Sequence, residues 1–539
     1  MNHGNAFAHL QVASSFSLQY GVSTPEALAQ QAAKLGHTSL ALTDRDGVRG
    51  AVRFVRACAQ AGIRPVLGTD LSLAPRPSPE LPKTTRRTPV HGGTWRAPAT
   101  TRVVFLARNH QGWSSLCRLL SAAYTGNPAA ATMSNLAEHS DGLVALIGPH
   151  SEIAAALVQR RYAEADRLIQ PWRELFGPHL FVQITSHRHL DGPLSTAVAA
   201  RMLGWARSQG LPCVLAHAVR YITARQAPIA DVLDASRRLV PLDQRHRERV
   251  NAQGFFADTE FMMALADEVT TAAGLCSNAS RRLLTDAAEL ANTCALTPSD
   301  LGIGEVVLPE SHLIVPQARG PLDHELRARC EQEISRYPAR QRPTAQERLD
   351  VELRTISALG FANYFLTVAE VVRLARNMNI RVAARGSGAG SLVTYLLNIS
   401  GVDPIEHGLL MERFLTTLRR ELPDIDIDVE SARRTEIYDA IFNRFGSTRV
   451  ACVSMPETYR VRHALRDVGA ALGWSPVDID AIAKTFPHVR ARDVRAVLAD
   501  LPELRDSGLG RLAARGELDM VLDLVEGLDG LPRHIAMHP

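Results

Sequence analysis

Lysine is almost missing from this chain. Of its 60 basic residues, only Lys34, Lys83 and Lys484 are lysines, and arginine supplies the rest. A GC-rich genome produces such a bias without functional cause, although arginine does suit phosphate because its planar fork grips two oxygens at once. The formal net charge of +4 over 539 residues is too small to argue for a nucleic-acid partner, so that argument must come from local clusters. Paired cysteines are missing too. Cys58, Cys117, Cys213, Cys276, Cys294, Cys330 and Cys452 lie far apart with no CxxC, which excludes a zinc cage or disulfide frame and leaves small hydrophobes of a reducing compartment. No apolar run is long enough to span a bilayer, and no charged-then-apolar leader opens the chain, so no membrane partner is expected and the expected location is cytoplasmic. Internal repeats and long low-complexity tracts are absent as well. What remains is an ordinary apolar share of 46%, enough for a core in each of roughly three to four domains.

The first third alternates strand and helix signals. Phe7 to Ala13 reads as a strand, and Pro25 to Leu35 as a helix with Thr24 as N-cap and Gly36 past its end. Leu40 to Thr43, Val66-Leu67, Gly142 to Ile147, Leu180 to Ile184 and Pro212 to Ala216 read as further strands, with a helix from Val48 to Ala61 stopped by Gly62. Repeated βα units predict a largely parallel sheet or a barrel. Residues 73–101, rich in Pro, Arg and Thr, read as an inserted surface loop, and 315–345 as a connection between domains. Glu347 to Met378 is helical in pattern, followed by a strand from Ile380 to Ala384.

The chemistry concentrates after that strand. In Pro423-Asp424-Ile425-Asp426-Ile427-Asp428, followed by Val429, a period of two puts the aspartates on one strand face and the branched residues on the other. Carboxylates held this close repel unless a cation lies between them, as at a divalent-metal site. The hexapeptide alone reads equally as a solvated acidic turn or a charge-protected edge strand. Fewer than forty residues upstream, Arg385-Gly386-Ser387-Gly388-Ala389-Gly390-Ser391 leads from a strand into a helix from Leu392 to about Ile399, a geometry that presents amides, hydroxyls and a helix N-terminus to phosphate. The loop has neither the lysine of a P-loop nor the acidic residue of a dinucleotide site. Together, the carboxylate row and the loop suggest phosphoryl or nucleotidyl transfer through two Mg²⁺ ions, which prefer a few carboxylates plus substrate phosphates. Downstream, Ser454-Met455-Pro456-Glu457 reads as a capping box opening a helix on which Tyr459, Arg462 and Arg466 share a face, with Arg460 beside it. That cluster suits a nucleic-acid backbone or a triphosphate, and equally a solvated face paired with Glu457 and Asp467.

These residues carry a resemblance. "YFLTVAEVVRLAR", "ARGSGAGSLVTYLLNISGVDP", "MERFL", "PDIDID" and "TYRVRHALRDVGAALG" resemble, in order, the C-family bacterial DNA polymerases, the polymerase III alpha subunits. "FAHLQVASSFSLQYG", "SLALTDRDGVRGAVRF" and "GIRPVLGTDL" resemble the PHP domain that opens those proteins, and "SMPETYRVRHALRDVG" is closer to their accessory, error-prone-like members. The resemblance implies an α/β multidomain fold. Its parts are a PHP-like distorted β/α barrel over 1–285, a palm with a mixed nucleotidyltransferase-type sheet over 286–453, a helical thumb over 454–533, and a return to the palm at 534–539. It implies a DNA-directed DNA polymerase acting on primer-template DNA and deoxynucleoside triphosphates, in replication or error-prone repair synthesis. Asp424 and Asp426 would be the catalytic, metal-binding aspartates, with Asp428 on the same face as a further metal candidate. Arg385, Gly386, Ser387, Gly390 and Ser391 would hold the nucleotide, and Tyr459, Arg460, Arg462 and Arg466 would face DNA.

Two departures from the family qualify this. The PHP metal ligands are largely replaced: the His-x-His pair is Gln11 and Ala13, a further histidine is Arg45, a glutamate is Asp70, and a late Asp-x-His is Ala218 and Arg220. Asp44, His9 and His187 remain, too few for a metal cluster. No metal is expected there, and a PHP-type phosphoesterase or 3′-5′ exonuclease is the disfavoured alternative. The sequence also stops at "LPRHIAMHP", inside a motif that the family continues. The third catalytic carboxylate and the contacts to a sliding clamp or other replisome subunits are expected beyond it, so the chain alone is expected to polymerise little, and a non-catalytic DNA- or replisome-binding remnant is the other alternative.

Overall fold

Six almost fully buried strands build the first sheet: β1 (Ser39–Arg45), β2 (Arg64–Leu73), β3 (Thr101–Ala107), β4 (Leu143–Ile147), β5 (Leu180–Ile184) and β6 (Cys213–Leu215). This computed structural model describes residues 7–75, 101–126, 128–243, 249–276, 278–415 and 422–537, so most of the expected insertion at 73–101 lies outside the described residues. The strands pair in chain order, and only β3 runs against its neighbours. Burial on both faces accounts for their continuous apolar runs. The first segment closes the sheet. Ala41 and Thr43 donate backbone N–H groups to the carbonyls of His9 and Val12 (3.0 and 2.8 Å), while Ala13 and Val219 bond back and forth with Val219 and Gln11 (2.9 and 3.0 Å). Residues 9–13 thus lie between β1 and the chain leaving β6, completing a distorted β/α barrel.

Local chemistry sets the helix ends. Thr24 caps Pro25–Lys34 by accepting from Ala27 N (3.3 Å), and Gly62, at φ +70°, ends Ala51–Ala61. The latter helix starts three residues later than its periodicity predicts, because Val48–Gly50 form a turn closed from Ala51 N to Val48 O. After residue 453 the chain forms β9 (Ser454–Thr458), a set of short helices and β10 (Pro532–Met537), which pairs with β9. Tyr459, Val461, Leu465 and Val468 share a core with Val22, Tyr221, Ala230 and Leu233, the last two on the helix Ala227–Arg238. Met1–Ile303 and Ser454–Ala536 accordingly form one compact unit.

The second unit is Gly304–Val453 with Met537–Pro539. Helices Asp323–Glu333, Arg342–Ala358, Ala362–Asn377 and Arg434–Phe445 surround β7 (Val382–Arg385) and β8 (Asp426–Val429), which pair antiparallel from Val382↔Val429 to Arg385↔Asp426. Among the described residues this sheet has two strands. The stretch 315–345 is more than the connection its prolines suggest: Leu322, Leu326, Cys330, Tyr337 and Ala345 are core, and Pro343 lies in the first turn of a helix, where its missing N–H costs nothing. No single described helix is long and apolar enough to cross a membrane.

Candidate functional site

The acidic row begins with its backing. Ile425 packs on the core that contains Phe365 and Phe414, and Val429 on the small cluster of Ala375, Ile380 and Ile437, so the apolar alternates face inward. Asp424, Asp426 and Asp428 are consequently exposed on the other face. Beneath them, Tyr364 donates its hydroxyl to Pro423 O (2.8 Å); burial first, then the charges of Asp424 and Asp426, raise its pKa above the ordinary tyrosine value. β7 adds a cation. Arg385 is the register partner of Asp426, and its guanidinium lies 3.2 Å from Asp428 Oδ1 and 3.9 Å from Asp426 Oδ2. Among the described residues no three His, Cys, Asp or Glu side chains converge on one metal position. Asp424 precedes β8, while Asp426 and Asp428 lie on it about 7 Å apart with the Arg385 guanidinium beside them, carboxylates that could share a hard cation with phosphates.

The loop beside the row divides in two. Gly386 takes φ +75°, which only glycine adopts cheaply, and Arg385, Gly386 and Ser387 are exposed. Gly390 and Ser391 are buried. At Ser391 and the helix N-terminus behind it, expected to meet a phosphate, the structure places a protein carboxylate. Glu352 accepts from Ser391 Oγ (2.8 Å), Leu392 N (3.0 Å) and Val393 N (3.1 Å), and Arg348 Nε pairs with it at 3.0 Å. Arg348 also donates to Gly390 O (2.7 Å), tying down the loop's rear. The helix is short, Leu392–Leu396, and turns at Asn398, whose φ is +59°. Glu352 was detectable in sequence: it stands on the buried stripe Ala345, Leu349, Leu353, Ile356 of its helix, where an acid needs a partner.

The segment after residue 453 departs further from expectation. Ser454–Thr458 is strand, not a capping box, and the helix begins at Val461 without a side-chain cap. Pairing with β10 and burial of Tyr459 outweigh the local signature. Tyr459 is fully buried, donates to Asp467 Oδ2 (2.7 Å), and cannot stack on a base. Asp467 is held in turn by Arg533 (3.0 and 3.1 Å). Arg462 donates to Phe486 O (2.6 Å) and meets His488 Nε2 at 3.1 Å, while Arg466 pairs with Asp480 (3.1 Å). Of the four residues expected to face DNA, Arg460 alone is exposed, and its backbone bridges to Arg490.

In the barrel, arginines pair with Asp46, Asp70 and Asp234. Arg102 Nε donates to Asp70 (3.1 Å) and its terminal nitrogens to Asp46 (3.2 Å) and Ser72 (2.6 Å). Arg220 forks onto Asp234 (3.0 and 3.2 Å), and the Tyr20 ring lies 3.4 Å from the Arg45 guanidinium carbon and 3.8 Å from that of Arg220. Asp44 accepts from Ser14 and Ser17 (2.7–2.9 Å), and burial pushes its pKa up to about 6. Gln11 accepts from Gln183 (2.6 Å). His9 and His187 are not isolated: His9, His217 and His187 form a buried chain with ring centroids 6.4 and 5.1 Å apart. Burial lowers His9 to about 3 and His187 to about 4, and holds His217 well below the ordinary value. His9 and His187 direct Nε2 at the backbone carbonyls of Ala257 and His217, and all three rings are buried.

Residues 9–187 match the PHP domain, and residues 324–539 match the bacterial DNA polymerase III alpha NTPase domain. The curled β/α sheet lies largely within the first match, and the glycine-serine loop and the acidic strand after it lie within the second. The curated relatives are error-prone DNA polymerases and DNA polymerase III alpha subunits, and this chain aligns with their N-terminal portion over 99% of its own length. It is 32% identical, over 99% of its length, to an error-prone DNA polymerase of Symbiobacterium thermophilum, 31% to one of Mycobacterium tuberculosis, and 28% to DNA polymerase III subunit alpha of Escherichia coli. It covers 47%, 45% and 44% of those proteins, about half the length of the curated relatives it matches. Among solved structures, an amidohydrolase from Chromobacterium violaceum aligns over 39% of this chain and 86% of its own at 15% identity with a TM-score of 0.28, a likeness too weak to bear on the fold.

Proposed function

We propose that this chain supplies the PHP domain, the first part of the palm and the thumb of a DNA-directed DNA polymerase, which extends a primer 3′-hydroxyl with deoxynucleotides. The observation that carries the reading is the exposed pair Asp424 and Asp426, the second of which opens β8, beside the exposed Arg385, Gly386 and Ser387 at the end of its partner strand β7. Asp424 and Asp426 hold Mg²⁺, with Asp428 as an outer ligand. Held there, Mg²⁺ would supply Lewis-acid activation of the primer hydroxyl and charge neutralisation at the leaving pyrophosphate. Arg385, Gly386 and Ser387 take the triphosphate through the guanidinium, the backbone amides and the hydroxyl. Gly390 and Ser391 act behind them: Glu352 uses up the helix N-terminus, so these two residues fix the loop's shape and touch no phosphate. Arg460 reaches a DNA phosphate. Arg462 and Arg466, already engaged with Phe486 O and Asp480, stiffen the surface around it. The barrel supports the thumb through the core that Tyr221 and the helix Ala227–Arg238 share with Val461 and Leu465.

Primer extension with Mg²⁺ by the product of the whole gene tests this. Asp424→Ala combined with Asp426→Ala is expected to abolish extension while primer-template binding persists. Unimpaired extension by that variant would falsify the palm assignment, and DNA binding without extension by the wild type would favour the non-catalytic remnant.

A further inference from the structure

Arg385 stands where two functions meet: it belongs to the loop that faces the triphosphate, yet its guanidinium rests on the carboxylates that face the metal. We propose that Arg385 is an exchangeable counter-ion, which neutralises Asp426 and Asp428 in the free protein and passes to the phosphates when divalent cations take those carboxylates. The inference rests on the palm reading above. It stands on backbone register rather than on one side-chain pose. Arg385 and Asp426 are directly opposed in the β7–β8 ladder, and Ala383, two residues back on the same face, opposes Asp428. Any extended conformation of Arg385 on that face therefore keeps its charge over the row.

Three features make the contact exchangeable. The Arg385 side chain is 63% exposed, and its partners Asp426 and Asp428 are 53% and 61% exposed, so the pairs are solvent-screened and individually weak. Arg385 forms no ion pair among the described residues except with these two aspartates. Gly386, at φ +75°, follows immediately, so the chain turns away from the ladder at the point where the arginine must change partners. A buried arginine would hold the row permanently and exclude metal, as Arg102 holds Asp46 and Asp70 in the barrel. An exposed one instead keeps neighbouring carboxylates from repelling one another until a better cation arrives, and then offers a planar fork to the phosphate oxygens that come with it.

This role predicts effects of opposite sign from one substitution. Mn²⁺ is titrated calorimetrically into the 539-residue chain at low salt, without nucleotide and then with dTTP present. Arg385→Ala is expected to bind Mn²⁺ alone about fivefold more tightly, the change that roughly 1 kcal/mol of charge competition at 4 Å in water produces. The same variant is expected to bind Mn²⁺–dTTP on the order of tenfold more weakly, through loss of the charge-assisted phosphate contact. Arg385→Lys retains the competing charge and stays near wild type for Mn²⁺ alone. Arg385→Ala that binds Mn²⁺ alone as weakly as wild type, or more weakly, overturns the exchange, and so does an absence of Mn²⁺ binding in both chains. Asp424→Ala with Asp426→Ala separates the two readings. If it abolishes Mn²⁺ binding while Arg385→Ala changes nothing, the exchange alone fails; if it leaves Mn²⁺ binding intact, the palm reading fails.

Discussion

Replacing Glu352 by alanine is the most informative single perturbation of the loop, because one buried carboxylate there satisfies four groups. It accepts from the Ser391 hydroxyl, the Leu392 and Val393 amides and the Arg348 guanidinium, and it is 1% exposed. Truncation leaves three buried donors without acceptors, each worth about 1–3 kcal/mol when orphaned. Arg348 is half-buried and partly recovers hydration, and the cost of burying the carboxylate is returned. The net loss should match that of breaking a buried pair from one side, about 3–5 kcal/mol. Glu352→Gln keeps one acceptor oxygen and should lose about half as much. The chain carries its own reporter for where the loss falls: Trp95, Trp113, Trp172, Trp205 and Trp474 all lie outside Gly304–Val453. In a urea titration of Glu352→Ala, the circular-dichroism transition of the second unit should move to lower denaturant while the tryptophan transition stays in place. A loss below about 1 kcal/mol, or an equal shift in both signals, would refute the assignment of Glu352 as the anchor of the loop.

Acidification should destabilise the barrel unit. His9, His187 and His217 stay neutral when folded but protonate near 6.5 when unfolded, while Asp44 holds its proton up to about 6 when folded and releases it near 3.8 when unfolded. Between pH 6 and 4, unfolding takes up about three protons and releases about one, so stability falls by on the order of 3 kcal/mol per pH unit. Guanidinium unfolding at several pH values measures this, and a flat profile from pH 6 to 4 contradicts it. Between β9 and the helix that follows it, Arg460→Ala should weaken primer-template binding and flatten its salt dependence by about one ion, whereas Tyr459→Phe should cost about 1 kcal/mol of stability and leave affinity unchanged. Equal effects on affinity would place Tyr459 at the DNA after all.

The acidic row was legible because its signal is local: a period of two in six residues states both faces, and Ile425 and Val429 find cores with no further condition. The barrel was legible as repeated βα units, although the closing role of residues 9–13 depends on Val219, some two hundred residues away. The failures share that cause. Ser454 to Glu457 has the letters of a capping box, but β10 supplies a strand partner some eighty residues later, and pairing won. Ser391 has the letters of a phosphate loop, but Glu352 reaches it across tertiary structure. The residues at Arg45 and Asp70 could be read one by one, whereas the pairing of Arg102 on β3 with Asp46 and Asp70 could not, since nothing near those aspartates in sequence announces it.

The central claim is that Asp424 and Asp426 hold the divalent cations of nucleotidyl transfer, and anomalous scattering from Mn²⁺ tests it most directly. Crystals of the chain soaked with Mn²⁺ and a deoxynucleoside triphosphate should show a peak about 2.0–2.3 Å from carboxylate oxygens of both residues, with the phosphates against Arg385, Gly386 and Ser387. Peaks confined to the barrel, or phosphates bound with Mn²⁺ away from both aspartates, would contradict it.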